Sequence, residues 1–294
     1  MEKECSLESL TQELLTRCEF GDPNIARRCG VSGGADSVAL LWLASQAGID
    51  IEAVYVDHAT RETANQEAAF VASIARRFGT RFSSERVEVD ATSDLEQQWR
   101  IARHEALGPD AMLGHTADDQ AETVLINLMR GAGVHGLAGI EPGPRHPILN
   151  LRRTDTEAVC EALGIEPFTD PTNKDLRYQR NRVRGELLPL MNQIANRDVV
   201  PSLNRTAQHS RSIADFLTDS VIDIDATNTR IVSKLPKPLA VEVLREWLRD
   251  ELGHPIGTAE VNRVLDVVHH KVIACEISGG RRIARTDGVL RVES

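Results

Sequence analysis

The chain has 294 residues, 41% hydrophobic and 27% charged, with a net charge of −10. This composition supports a proper core in one large or two smaller domains and weighs against a broadly basic nucleic-acid-binding surface. It shows no run near the roughly 18 apolar residues of a membrane span. Residues 1–20 carry no apolar leader segment. Five scattered cysteines (Cys5, Cys18, Cys29, Cys160, Cys275) form no C-x-x-C pair for zinc or an iron–sulfur cluster. The expectation is reduced thiols and a cytoplasmic protein.

Along the chain, a helical pattern at 6–18 is followed by a short segment ending at Val31. That segment, I-A-R-R-C-G-V, is too polar for a strand buried on both faces. Next comes S-G-G-A-D-S at 32–37, opening a helix over 37–47. Gly33 and Gly34 let the backbone approach an anion closely. Ser32, Ala35 and Ser37 add hydroxyls and free helix N–H groups that suit phosphate oxygens. Asp36 would repel a bare phosphate, so it argues for a bridging Mg²⁺. The Walker A lysine is absent. A plain Gly-Gly turn with a capping residue is the bland alternative.

Strands are predicted at 52–56, 86–89 and 111–114, and helices at 63–78, 94–107 and 118–130. This β-α-β-α order predicts an α/β fold, a doubly wound, mostly parallel sheet. Ligands in such sheets bind at the carboxyl ends of the strands. The S-G-G loop, Asp57-His58 and His115 would gather on that rim. Asp118, Asp119 and Glu122 fall in the first turns of the helix after His115, with Asp118 and Glu122 on one face. Three acids there either complement the helix dipole or serve Mg²⁺ or an amine.

Residues 131–152 are rich in glycine and proline and read as loop or lid. A helix is predicted at 155–163 and another from Arg180. The stretch 174–184, KDLRYQRNRVR, holds five basic residues against one acidic one. Residues 1–195 form the first predicted domain and 196–294 a smaller, mainly helical one. The latter has an amphipathic helix carrying Leu239, Val243, Leu244, Trp247, Leu248 and Leu252, a helix at 258–270, and two or three short terminal strands. Residues 200–294 are electrically balanced, 13 basic against 13 acidic, so the net charge lies before them.

The S-G-G-A-D-S loop resembles the PP-loop of the N-type ATP pyrophosphatases, which cleave ATP between the α and β phosphates. The wider pattern is more specific. It comprises V-D-H-A-T-R at 56–61, W-R-I-A-R-H-E-A-L at 99–107 and G-H-T-A-D-D-Q-A-E-T at 114–123. L-M-R-G-A-G-V-H-G-L-A-G-I at 128–140, D-P-T-N at 170–173 and Q-R-N-R-V-R at 179–184 complete it. Together these resemble the bacterial tRNA(Ile)-lysidine synthetases over about residues 25–190.

That resemblance implies a carbon–nitrogen ligase. It would join free L-lysine to the wobble cytidine of the isoleucine tRNA with a CAU anticodon, through an adenylated cytidine, releasing AMP and pyrophosphate. ATP and Mg²⁺ are implied, with Asp36 on the metal. Catalytic roles are implied for Asp36, His115, Asp119 and Glu122. The ATP contacts would be Ser32, Gly33, Gly34, Ala35, Asp36, Ser37, Arg180, Asn181 and Arg184. Asp118, Asp119, Glu122, Arg130 and Gly131 would meet lysine and the base. Arg100 and Arg103 would meet the tRNA. Residues 196–294 would bind tRNA too, with Lys234, Lys237, Arg281 and Arg282 as contacts. A homodimer is common in such enzymes and is left open. His104 and His146 depart from the family pattern, where tyrosine and arginine are usual. The rivals are a tRNA 2-thiolating enzyme, which would normally need paired cysteines, and an amide-forming PP-loop ligase.

Overall fold

The computed structural model describes residues 2–57, 64–87, 95–168, 175–254 and 256–293. His58, the end of the V-D-H-A-T-R motif and D-P-T-N at 170–173 lie outside them, as do the side chains of Trp99 and Arg100. The chain divides into two compact units, Met1–Gln208 and His209–Ser294. The division falls inside a helix rather than at the expected 195/196.

The first unit is built on three parallel strands, β1 (Arg27–Gly30), β2 (Ile51–Asp57) and β3 (Arg81–Arg86), in that spatial order. Alternation of side chains sends Cys29, Ala53 and Tyr55 to one face, where they join the main core. That core also takes residues from helices α1 (Glu2–Leu15), α2 (Ala35–Gln46), α3 (Ala64–Arg77) and, further along the chain, α7 (Arg153–Leu163). Val54 faces the other way, against Leu107 of α4 (Leu95–Leu107) and Leu113. Helices thus cover both faces, as a doubly wound sheet requires.

Two strand positions differ from expectation. The third strand lies at Arg81–Arg86 rather than 86–89. Its sequence, RFSSER, is polar because it pairs on one side only, with β2, and stays largely exposed. Residues 111–114 do not form a strand. Met112 alone bridges to Cys29 in parallel. Its N–H and carbonyl pair with Arg28 and Gly30, while the Leu113 N–H, on the opposite edge, donates to the Arg145 carbonyl at 2.9 Å.

The polar first strand is explained by its neighbours. The Arg28 guanidinium donates to the Ala106 carbonyl at 2.6 Å and to Glu85 at 2.7 Å, and lies 3.6 Å from Glu52. A half-buried arginine is tolerated because its donors are occupied. On the same face, the missing Cβ of Gly30 makes room for Leu107, which would otherwise sit 2.9 Å away.

The winding runs from β1 outward to β3, then returns through α4 to place Met112 on the other side of β1. The direction therefore reverses at β1, and the crevice at such a reversal is where open α/β sheets bind ligands. Helix α5 (Ala117–Met129) leaves this point. The glycine-rich stretch after it contains a short helix, α6 (Val134–Leu137), not only loop. It is tied back to α5: the Gln120 amide donates to the carbonyls of Ala138 and Ile140, and Asn127 donates to Gly136 at 2.7 Å.

Beyond α7, helix α8 (Gln179–Arg182) runs through a single π turn at Val183–Leu187 into α9 (Leu188–Ala195). Val183 and Leu188 pack with Ala117, Ala121 and Leu125 of α5. Helix α10 (Val200–Asp219) follows and passes through the division between the units.

The second unit holds α11 (Thr229–Val232), α12 (Lys237–Leu252), α13 (Thr258–Val268) and an antiparallel sheet, β4 (Ala274–Glu276), β5 (Arg282–Thr286) and β6 (Val289–Glu293). Its core is the apolar face of α12 and α13 with Ile277, Ile283 and Leu290. The turn between β5 and β6 uses Asp287 and Gly288, both at positive φ, as a two-residue hairpin demands.

Candidate active site

The phosphate loop leaves β1 and enters α2. Gly33 has φ +85°, and a Cβ there would strike the rings of Phe168 and Phe70 at 3.3 and 3.4 Å. Those rings meet edge to face at 4.8 Å, and the Phe168 N–H donates to the Gly33 carbonyl. The loop is thereby held against α3 and the chain after α7. Ser37 donates to the Gly34 carbonyl at 2.9 Å, accepts from the Ser32 N–H at 3.2 Å and sits 3.3 Å from the Ser32 hydroxyl. Gly34 caps α2, so the N–H groups of Ala35, Asp36 and Ser37 have no carbonyl one turn earlier in the helix.

Across the crevice, Thr116 caps α5. Its N–H and hydroxyl donate to Asp119 at 2.8 and 2.9 Å. Glu122, one turn on, is fully buried. Both its oxygens are occupied. Oε2 accepts from Arg180 Nε at 2.7 Å and Arg184 Nη2 at 3.1 Å. Oε1 accepts from Arg184 Nε at 2.6 Å and Arg153 Nη2 at 3.4 Å. The other oxygen of Asp119 meets the same three guanidiniums at 3.0 to 3.3 Å. Arg180 and Arg184 reach Glu122 together because α8 and the π turn lie along α5, and π turns are often found at functional sites.

Asp36 faces this knot. It accepts the Thr156 hydroxyl at 2.5 Å and lies 3.8 Å from Arg153. Burial pushes its carboxyl up to about 6, against the pull of Thr156 and the arginines. Burial would also raise Asp119, but Arg180 and Arg153 outweigh it and hold that carboxyl below its ordinary value.

The acids are placed otherwise than expected. Asp118 does not share its role with Glu122. It turns away and is clamped by Arg152 at 3.0 Å through two bonds, with the Arg153 N–H at 2.8 Å. Asp118, Asp119 and Glu122 do not form an open acidic trio for an ammonium group, because four arginines already occupy them. Asn181 donates to the Asp175 carbonyl at 2.9 Å. Arg130 and Gly131 are exposed at the far end of α5, Arg130 3.4 Å from Gln179.

His115 precedes the cap. Burial pushes its imidazole down to about 3, despite the attraction of Asp119. Its Nδ1 is buried with no hydrogen-bond partner among the described residues, and its ring stands 4.9 Å from that of His146. Arg103, exposed on α4, adds to the positive field on it. His115 is therefore neutral at pH 7. In the unfolded chain it takes up a proton near 6.5, and in the native state only near 3. The native form thus loses stability as pH falls through that window. His115→Gln is expected to flatten the fall between pH 6.5 and 4.5, as read by thermal denaturation. An unchanged slope would remove His115 as its source.

Among the described residues, no three His, Cys, Asp or Glu side chains gather as a metal cage. Asp36 at the phosphate loop fits a different mode, one carboxylate holding a hard cation whose other ligands are phosphate oxygens and water.

Residues 7–191 match the PP-loop domain model. A tRNA(Ile)-lysidine synthase from Nocardia farcinica (strain IFM 10152) is 36% identical over 254 residues, 81% of this chain and 80% of that protein. The chain belongs to the tRNA(Ile)-lysidine synthase family. A second tRNA(Ile)-lysidine synthase, from Salinispora tropica, is 43% identical over 60% of each chain. The U34-tRNA thiolase NcsA from Methanococcus maripaludis, solved with its [4Fe-4S] cluster, shares the fold. Its TM-score is 0.56 at 17% identity, over 70% of this chain and 80% of that one.

In this lysidine synthase homologue the residues missed from sequence are Arg152, Arg153 and Thr156. All three stand at the start of α7. One signal was available: two adjacent arginines opening a helix oppose its dipole and need acids from elsewhere to hold them.

Proposed function

We propose that the chain joins L-lysine to the wobble cytidine of an isoleucine tRNA bearing CAU, with ATP as activating substrate. The meeting of the S-G-G-A-D-S loop with the Asp119–Glu122–arginine knot at the reversal of the sheet carries this reading. Family membership supports it.

In this reading the loop N–H groups and the hydroxyls of Ser32 and Ser37 receive the phosphates. The cytosine carbonyl oxygen attacks the α phosphorus and pyrophosphate leaves. Arg153, Arg180 and Arg184 are each partly open to solvent, with side chains 24, 39 and 32% exposed. They supply positive charge where it develops on the leaving group. Asp119 and Glu122 hold those arginines rigid. Mg²⁺, held by Asp36, would add charge neutralisation at the phosphates. The lysine ε-amine then attacks the activated carbon and AMP departs. His115, neutral at pH 7, is placed to orient the attacking amine by a hydrogen bond; an imidazole that charges only near 3 is too weak a base to keep the proton, which passes to solvent. Arg100 and Arg103 on α4 meet the anticodon. The second unit, with Lys234, Lys237, Arg281 and Arg282, grips RNA.

Incubation with ATP, Mg²⁺, labelled lysine and the unmodified CAU isoleucine tRNA tests it. Acid-precipitable label that requires ATP and the wobble cytidine is expected. ATP cleavage to AMP and pyrophosphate with no lysine label would move the acceptor chemistry elsewhere, to thiolation first.

A further inference from the structure

Thr156 belongs to none of the motifs, yet it is fully buried and its hydroxyl reaches Asp36 Oδ1 at 2.5 Å. The hydroxyl carries one proton. Its second neighbour, the Arg153 carbonyl, is further off at 2.8 Å, so the proton goes to the closer, charged acceptor. Arg153 stands on the same turn with its Nε 3.8 Å from Asp36 Oδ2. Its Nη2 is committed to Asp119 and Glu122. A free Asp36 carboxyl would rotate onto this guanidinium and close the gap.

We propose that Thr156 is a positioning residue. It holds one oxygen of Asp36, so that the other stays short of Arg153 and open to a divalent cation arriving with ATP. This rests on the ATP reading above. Because Thr156 is sealed from solvent, no water replaces its hydroxyl when it is removed.

The test uses Mn²⁺ with a non-hydrolysable ATP analogue, without lysine or tRNA, and follows free Mn²⁺ by its spin resonance signal. Thr156→Val, and Thr156→Ala should the valine variant fail to fold, are expected to weaken Mn²⁺–analogue binding about tenfold. In turnover, the KM for MgATP is expected to rise while the KM for lysine and the tRNA affinity hold. Thr156→Ser, which keeps the hydroxyl, is expected to restore wild-type behaviour. Hydroxyl-less variants that bind Mn²⁺ as the wild type does would overturn the inference, as would a serine variant as weak as the valine one. A wild-type protein that binds neither Mn²⁺ nor the analogue would overturn the ATP reading itself.

Discussion

Asp36→Asn is expected to give a protein that is more stable and inactive. The Asp36 carboxyl is pushed up to about 6, chiefly by burial. Between about 4 and 6 the native state therefore holds a proton that the unfolded chain has released. Stability from this group falls as pH rises through that window and stays lowered at pH 7. Asparagine carries no charge to desolvate and still offers an acceptor to Thr156. The gain at pH 7.5 is on the order of 1 kcal/mol, a few degrees of melting temperature, and vanishes near pH 4. Pyrophosphate release is expected to fall by about 10² to 10³, the scale of removing one preorganised charge-stabilising group, with tRNA affinity unchanged. Thermal scans from pH 4 to 8 beside a pyrophosphate assay read both effects. An asparagine variant that is less stable at pH 7.5 would mean that Arg153 stabilises the carboxylate more than burial strains it.

Glu122→Gln is expected to do the reverse, costing stability and activity together. The side chain is fully buried and takes bonds from three guanidiniums. Removing its charge leaves those cations short of a partner where no water can replace it. Its new amide hydrogens also face N–H donors. Removing one partner of a buried pair typically costs about 3–5 kcal/mol, and a value near the lower end is expected since Asp119 remains. Urea denaturation measures it. The KM for ATP and for lysine are both expected to rise, because the arginines lose their anchor. A defect confined to lysine, with stability intact, would return Glu122 to direct recognition of the amine.

Much of the site was legible because its chemistry is local. A phosphate loop needs two glycines, hydroxyls and a helix start within a few residues, and Ser32 to Ser37 supply them. His115, Asp119 and Glu122 likewise lie close together in sequence, at the entry and first turns of α5. The helices of the sheet unit up to α5, with α7, α12 and α13, also followed from their spacing, whereas the 20-residue α10 and the short α6, α9 and α11 did not. The strands were harder. RFSSER carries no apolar alternation because it is an edge, and A-M-L-G looks like a strand but meets β1 through a single bridge at Met112. Least legible was the start of α7. Nothing near Thr156 in sequence says that α7 packs on α2, and so nothing says that its hydroxyl meets Asp36. The same is true of the four arginines. Their number was visible, but their pairing with three acids, which turns an apparent amine trap into a braced set of cations, depends on the approach of α7 and α8 to α5.

Gly114 ties the two principal motifs together. A Cβ at this position would lie 3.1 Å from the backbone carbon and oxygen of Asp36 and from the Ser37 nitrogen. Backbone cannot swing aside as a side chain can, so the loop and the segment entering α5 are in effect one casting. A designer who transplants the S-G-G-A-D-S loop into another parallel sheet would obtain its hydrogen bonds but not its aim, unless the abutting glycine travels with it. A side chain at 114 would push on the start of helix α2, and a shifted α2 carries Asp36 away from its threonine.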